Sequence, residues 1–563
     1  MGFLWTIVAL VVTLGLTWRF LGSYMEAVFD GRVRYLAWLE RPFYRLLGTG
    51  PDNEQSWRRY AGSAVVFSGA FLAFGYLLLR IQGHLPLNPQ HLGAVPPALS
   101  FNTITSFVTN TNWQNYGGET TMSYFSQIGV LTVQQFVSAA VGIAVAIALV
   151  RGFSRRSSPT IGNFWVDMTR CLLYVLLPIA FLAGVVLVSQ GAVQTLAGPA
   201  RIHDPLNHVT QTIPRGPVGF MGAIMQLGTN GGGAFNADLA HPLENPTGLT
   251  NFLYIWLTLS IPVSLTYTFG KMVHSVRQGA ALLTAMALIF GIWVGFTSYA
   301  EHQPNPAVAA AGVVHQPGGN MEGKEVRFGD TSSALFNVSM TQTSDGAVDS
   351  ATDSYNPMGV FGTLTGMMLG EVTPGGVGSG LYTILIDAVI AVFIGGLMIG
   401  RTPEYLGKKI QAREVKLAGI GLLVMPITVL VLTAIAVSVH AGRVGPLNHG
   451  PHGFTEILYA MTSQGNNNGS AMAGLNGNTA FYNVVGAIDM LLGRFGVLIP
   501  AVALGGSLAS KNVVPASLGT FRTDNAMFIG LVVGVIVVVG GLTFFPAVAL
   551  GPIVEQLSHG RFF

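Results

Sequence analysis

Four short polar stretches carry residue types that could do chemistry with a cation. They read Thr105-Ser-Phe-Val-Thr-Asn-Thr-Asn-Trp-Gln114, Met225-Gln-Leu-Gly-Thr-Asn-Gly-Gly-Gly233, Met340-Thr-Gln-Thr-Ser-Asp-Gly-Ala347 and Thr462-Ser-Gln-Gly-Asn-Asn-Asn-Gly469. Stacked, they give three columns: Thr109, Thr229, Ser344 and Asn467; then Asn110, Asn230, Asp345 and Asn468; then Thr111, Gly231, Gly346 and Gly469. The types present are mostly hydroxyls, amides and glycine. They suit a backbone that turns successive carbonyl oxygens toward one dehydrated ion, which needs the unusual φ values glycine permits. Asn and Gly are also common in surface turns. Four recurrences, each flanked by apolar sequence, weigh against that plainer reading.

The elements around these stretches say where they must lie. Ten runs are long and apolar enough to span a bilayer, which takes roughly 20 residues: 3–22, 63–81, 128–150, 171–190, 252–270, 280–299, 381–400, 417–439, 483–507 and 526–550. Each polar stretch falls between two of them. It is preceded by a mildly apolar segment too short to cross (99–108, 219–227, 333–340 and 454–461), the length of a re-entrant half-helix. Irregular backbone at membrane depth is tolerated only where it is buried or lines a wet cavity. The expected fold is an all-α polytopic membrane protein. It has four parallel helix–pore loop–helix repeats (63–150, 171–270, 280–400 and 417–507) around one pseudo-fourfold axis. The segments 1–62 and 526–563 flank them.

Composition and charge agree. Half of the 563 residues are hydrophobic and 9% are charged, against roughly 25% in soluble domains. The single cysteine, Cys171, excludes an internal disulfide and thiol-ligated metal clusters. Of the 28 Lys and Arg, 20 fall in or beside alternate loops, the densest being Arg401, Lys408, Lys409, Arg413 and Lys416. Basic loops stay in the cytoplasm, so both termini are expected outside. Ionisable residues within spans are costly and often functional. Asp387, Asp489 and Arg494 qualify. Arg494 could pair with Asp489 on one helix face or act as a positive stop below the filter. Glu371, ahead of the Gly-rich run 375–380, could mark the ion's route or simply start a helix. The loop 401–416 could dock a partner or be solvated, and the acidic outer segment 322–353 could concentrate cations. There is no GxxxxGK[ST] phosphate loop and no Asp-Lys-Thr-Gly phosphorylation motif, so energy must come from a partner or an ion gradient.

At these residues the chain resembles a known family over essentially its whole length. Ser106-Phe-Val-Thr-Asn-Thr-Asn-Trp-Gln114, Gly228-Thr-Asn-Gly-Gly-Gly233, His241-Pro-Leu-Glu-Asn-Pro-Thr247, Asn320-Met-Glu-Gly-Lys-Glu325, Gly376-Val-Gly-Ser-Gly380, Gly400-Arg-Thr-Pro-Glu-Tyr-Leu-Gly-Lys-Lys409 and Asn466-Asn-Asn-Gly-Ser470 are similar to stretches of the KdpA family. The members of that family are potassium-binding subunits of the Kdp ATPase. The resemblance implies a potassium filter at Asn110, Thr111, Asn112 and Gln114, at Thr229, Asn230, Gly231 and Gly232, at Ser344, Asp345, Gly346 and Ala347, and at Asn467, Asn468, Gly469 and Ser470. It implies potassium as the transported ion, no organic cofactor, and ATP bound only by the partner. It also implies a bacterial plasma-membrane complex with a P-type ATPase subunit, a single-span subunit and a small hydrophobic peptide, and sideways passage of the ion through a tunnel. No nucleic acid is expected. One departure stands at Asp345, where some members carry Cys. The alternative is a self-sufficient channel or transporter of the Trk, Ktr or HKT kind, which shares the four-repeat plan.

Overall fold

The computed structural model describes residues 2–204, 206, 209–398, 400, 402–515 and 521–558. Arg401 and the last residues of the 526–563 flank therefore lie outside the described residues. Among the described residues ten helices are long and apolar enough to cross a membrane, and each overlaps one of the ten expected runs. They are spans 1 (Phe3–Phe29), 2 (Trp57–Arg80), 3 (Ser126–Ser154), 4 (Phe164–Ser189), 5 (Gly248–Met272), 6 (Val276–Glu301), 7 (Ser379–Met398), 8 (Ala412–Ser438), 9 (Ala480–Ala509) and 10 (Ala526–Leu557).

Burial along the spans alternates. The apolar windows of spans 2, 4, 6 and 8 are 22, 44, 39 and 39% buried, those of 3, 5, 7 and 9 are 89, 78, 67 and 61% buried, and those of 1 and 10 are 6 and 28% buried. The second helix of each expected pair is thus the inner one, and span 1 is the least buried of the ten. A shorter helix sits between the two spans of each pair: pore helices 1 (Pro97–Val108), 2 (Val218–Leu227), 3 (Asp330–Thr341) and 4 (Gly450–Gly465). Pro97 and Pro451 stand in the first turn, where a missing N–H costs nothing. Thr109, Gly228, Gln342 and Asn466 close the four helices, and the polar stretches begin there.

The third repeat departs from the expected plan. A buried half-helix, Pro357–Met368, precedes span 7, and the irregular segment 369–378 separates the two. Gly370, Gly375 and Gly378 have φ of +89, +79 and +83° there, conformations open to glycine. The 402–416 stretch is packed in part: Tyr405, Lys408, Ile410 and Glu414 are buried, while Lys409, Arg413 and Lys416 are exposed. Glu404–Tyr405 pairs antiparallel with Lys408–Lys409, and the buried Lys408 ammonium donates to the carbonyls of Arg155 and Lys511.

Away from the pore helices' carboxyl ends, buried charge ties loop and helix-end segments together. Lys324 Nζ lies 2.7 Å from Glu301 Oε2 with both side chains fully buried, and it stacks 4.2 Å over the Tyr355 ring. The acidic outer segment is therefore internally neutralised at this point. His452 of pore helix 4 lies 2.7 Å from Glu555 and 3.2 Å from Asp353. Burial opposes its charge, but these two carboxylates prevail and push the imidazole up to about 10. That imidazolium ties the end of span 10 to the fourth repeat. Removing one partner of a buried pair leaves an uncompensated charge. Lys324→Met is expected to lower stability by about 3 kcal/mol, and Glu301→Gln with Lys324→Met to recover part of it. Thermal unfolding of the detergent-solubilised protein reads both. Equal melting of the single and double variants would show that the pair is not coupled.

Candidate functional site

The end of each pore helix sets the register of the strand that follows. Thr111 N donates to Ser106 O at 2.9 Å, Asn230 N to Met225 O at 2.8 Å, Asp345 N to Met340 O at 3.1 Å and Asn468 N to Ser463 O at 2.7 Å. These four residues are equivalent. The residue before each is left-handed: Asn110 (φ +66°), Thr229 (+42°), Ser344 (+53°) and Asn467 (+60°). The third position is Asn112 (+55°), Gly231 (+74°), Gly346 and Gly469 (+103°). This corrects the expected columns in the first stretch by one residue. Matching Thr109-Asn110 to Thr229-Asn230 by identity puts Thr109 in the first column, whereas it is the residue that closes pore helix 1. Asn112 then stands where two other strands have left-handed glycine, which Asn tolerates better than most side chains. In the first and fourth strands φ changes sign from residue to residue over these three positions, the kind of backbone that can turn successive carbonyls to one side.

The strands close into a ring. Asn110 Nδ2 donates to Thr229 O at 2.9 Å and Asn112 Nδ2 to Gly231 O at 2.9 Å, joining the first strand to the second. Gln114 pairs with both backbone groups of Gly233, accepting from its N–H at 2.9 Å and donating to its carbonyl at 3.0 Å. Gly346 N reaches Asn230 O at 3.4 Å, joining second to third. Asn468 Nδ2 donates to Met340 O at 3.2 Å, and Asn467 Nδ2 to Thr111 Oγ1 at 3.0 Å, joining the fourth strand to the third pore helix and the first strand. A Cβ on Gly231 would collide with Gly346 N, and one on Gly469 with Thr111 O. The pore helices aim their carboxyl ends here, each equivalent to roughly half a negative charge.

Asp345 sits behind its strand. Its carboxylate accepts from Thr258 Oγ1 at 2.8 Å, Ala347 N at 3.0 Å and Gln226 Nε2 at 3.3 Å. Asn468 Oδ1 accepts from Ser470 N at 3.0 Å in the same way, so Asp345 does with a carboxylate what the fourth strand does with an amide oxygen. Burial pushes this carboxyl up to about 7 against its donors.

Below the ring the segment 369–378 crosses under two strands. Val377 N donates to Thr229 Oγ1 at 2.9 Å, Gly375 N to Gln342 O at 2.9 Å, and Ser344 Oγ to the buried Glu371 carboxylate. Glu371 thus does more than start a helix. Arg494 Nη2 donates to Ser138 O at 3.0 Å. It makes no ion pair with Asp489: the two are five residues apart in sequence and so point away from each other on their helix. Among the described residues no salt bridge involves either, and Asp489 instead lies against Gly465. A narrow cavity of about 70 Å³ opens beneath the ring, lined by Asn110, Ser344, Asn467, Glu371, Asp387 and Arg494, and it extends to Gly540 and Phe544 of span 10. Sequence reasoning missed Ser138, Thr258 and the half-helix 357–368. The first two are ordinary residues of apolar spans, and only the Gly-rich run signalled the third.

Ten spans and four half-helices ending in a ring of left-handed strands define a pore-loop cation-transport membrane protein. The fold is similar to that of the potassium transporter TrkH from Vibrio parahaemolyticus, at TM-score 0.50 and 13% identity over 76% of this chain and 83% of that one. A model of the family described as KdpA, potassium-transporting ATPase A subunit, matches residues 7–557. The potassium-transporting ATPase potassium-binding subunit of Mesorhizobium japonicum is 53% identical over 98% of this chain and 97% of its own. That of Methylorubrum extorquens is 54% identical over 96% and 95%. The chain belongs to the KdpA family.

Two outcomes follow for the ring. Gly231→Ser and Gly469→Ser place a Cβ against a neighbouring strand at a left-handed residue. Each is expected to weaken apparent affinity for the alkali cation at least tenfold or to admit competing ions, as read by concentration-dependent rubidium uptake. Unchanged affinity and selectivity in both would remove these loops from the filter. For Asp345 the sign follows from its raised carboxyl: it is mostly neutral at pH 6 and mostly ionised at pH 8. Apparent affinity should therefore rise between those values, and Asp345→Asn should flatten the profile. At roughly 6 Å and an effective dielectric near 20 the interaction is at most about 3 kcal/mol, or about a hundredfold in affinity. A flat profile in the unsubstituted protein would rule out the electrostatic role.

Proposed function

We propose that this chain selects potassium from outside at the four-strand ring and passes it sideways to a P-type ATPase subunit that hydrolyses ATP. The observation that carries this is the closed ring itself, whose strands are tied to one another and to pore helix 3 by side-chain amides. The relatives named as potassium-binding subunits supply the ion and the kind of complex. Potassium is the cargo and would be held by the backbone carbonyls of 110–114, 229–232, 344–347 and 467–470. Arg494 and the segment 369–378 oppose straight passage through the membrane, and the cavity toward span 10 offers a lateral path. That arrangement favours the subunit reading over the self-sufficient Trk-like one.

The repeats are assigned to 63–150, 171–270, 280–400 and 417–507, with 1–62 and 526–563 as flanks. The single-span subunit and the small hydrophobic peptide complete the complex in the bacterial inner membrane. Both termini are placed outside on the distribution of Lys and Arg.

The purified chain alone is expected to show no ATPase activity, and potassium-stimulated hydrolysis is expected only when the ATPase subunit is added back. Robust hydrolysis by the isolated chain would sink the subunit reading. Orientation is read separately: a cysteine at Gly2 should react with an impermeant reagent on intact cells, and labelling only after lysis would invert the topology.

A further inference from the structure

A second acidic element lies just outside the ring. The strand leaving pore helix 2 continues through Gly233 to Asp238 and Glu244, both at least nine-tenths buried. Each carboxylate uses one oxygen on the protein. Asp238 Oδ2 accepts from Val348 N at 3.2 Å, just past the third filter strand, and Glu244 Oε1 accepts from Phe235 N at 2.9 Å. The other oxygens, Asp238 Oδ1 and Glu244 Oε2, are buried with no hydrogen-bond donor. Both converge on Gly233, lying 2.7 and 3.0 Å from where its Cβ would stand. Asp238 also lines the outer vestibule, a cavity of about 540 Å³ shared with Asn112, Gly232, Gly346 and Gly469 of the ring.

No cation of the protein serves this pair. Among the described residues neither carboxylate takes part in a salt bridge, and Arg327 bonds to the Ala240 and Asn245 carbonyls and to Glu325. The charged groups facing them are acidic: Asp345 and Asp349 toward Asp238, and Glu119 toward Glu244. Two buried carboxylates with free oxygens cannot both stay ionised without a cation between them; otherwise one of them takes up a proton. An opening to the vestibule makes a cation from the external solution available.

We propose that Asp238 and Glu244 form a binding site for a monovalent alkali cation at the outer mouth, separate from the ring and loaded before it. The site rests on the reading of the ring as a potassium filter. It would raise the local ion concentration at the second and third strands and let one ion wait while another occupies the ring. Gly233 must stay glycine because a side chain there would fill the space between the two free oxygens.

The test uses the complete complex reconstituted with its ATPase subunit, with Asp238→Asn, Glu244→Gln, the double variant and Gly231→Ser. The readout is ATP hydrolysis against potassium concentration. Each single variant is expected to raise the half-maximal potassium concentration about tenfold, with saturating potassium recovering the rate. The double variant should be no worse than either single, because one substitution already empties a shared site. As a second measurement, the potassium concentration that protects each folded variant against thermal unfolding should shift by the same factor. An unchanged half-maximal concentration in both singles, the outcome of a shared proton, overturns the proposal. So does a lowered maximal rate with unchanged potassium dependence. If Gly231→Ser alters potassium dependence while the acidic variants do not, the outer site fails and the filter stands. If Gly231→Ser has no effect either, the filter reading fails with it.

Discussion

The fold depends on one constraint: backbone that leaves the helical state inside a membrane must still have its polar groups satisfied. A cation filter makes this harder, because the carbonyls that face the ion cannot be spent on the protein alone. The chain meets it with side-chain amides. Asn110, Asn112, Asn467 and Asn468 each reach a neighbouring strand or helix end, while Gln114 clamps both backbone groups of Gly233. The abundance of Asn in these loops is therefore not a turn preference. It supplies donors where neither water nor a β-ladder is available.

The same constraint orders the helices. Strands this irregular need walls on every side, and spans 3, 5, 7 and 9 provide them, with Ser138 of span 3 donating to Asn110 Oδ1 at 2.7 Å and Thr258 of span 5 to Asp345. Small and polar residues on otherwise apolar helices mark where the filter is braced. Spans 1 and 10 brace nothing in the ring and accordingly keep most of their surface for lipid or partner chains.

Much of this was legible in the sequence. The ten spans and the four half-helices could be read from length and hydropathy, because both signals are set by the thickness of the bilayer. The register of the first strand could not. It is fixed by where pore helix 1 ends, and Thr109 fits a helix end and a filter column equally well as a residue type. The Asp489–Arg494 pairing failed because proximity in sequence says nothing about facing when the separation is five residues on a helix. The half-helix 357–368 was hidden because a short buried helix has no polar face to give it a period.

The ring is pseudo-symmetric, and its departures from symmetry carry direction. Backbone geometry is shared by all four strands, whereas the second position is Thr, Asn, Asp and Asn in turn, each fitted to its own wall. Selectivity that rests on carbonyls survives such variation. Transport in one direction does not come from a symmetric ring, because an ion leaving it on the axis has no preferred side. Only the third repeat breaks its inner helix, and the resulting segment 369–378 lies under the strands of repeats 2 and 3. Arg494, from repeat 4, adds a fixed positive charge beneath the ring. On the proposed reading a backbone segment and a guanidinium oppose the axis, and the open volume runs from Asn110 and Ser344 toward span 10. An ion selected by four equivalent strands would then have one inequivalent way out.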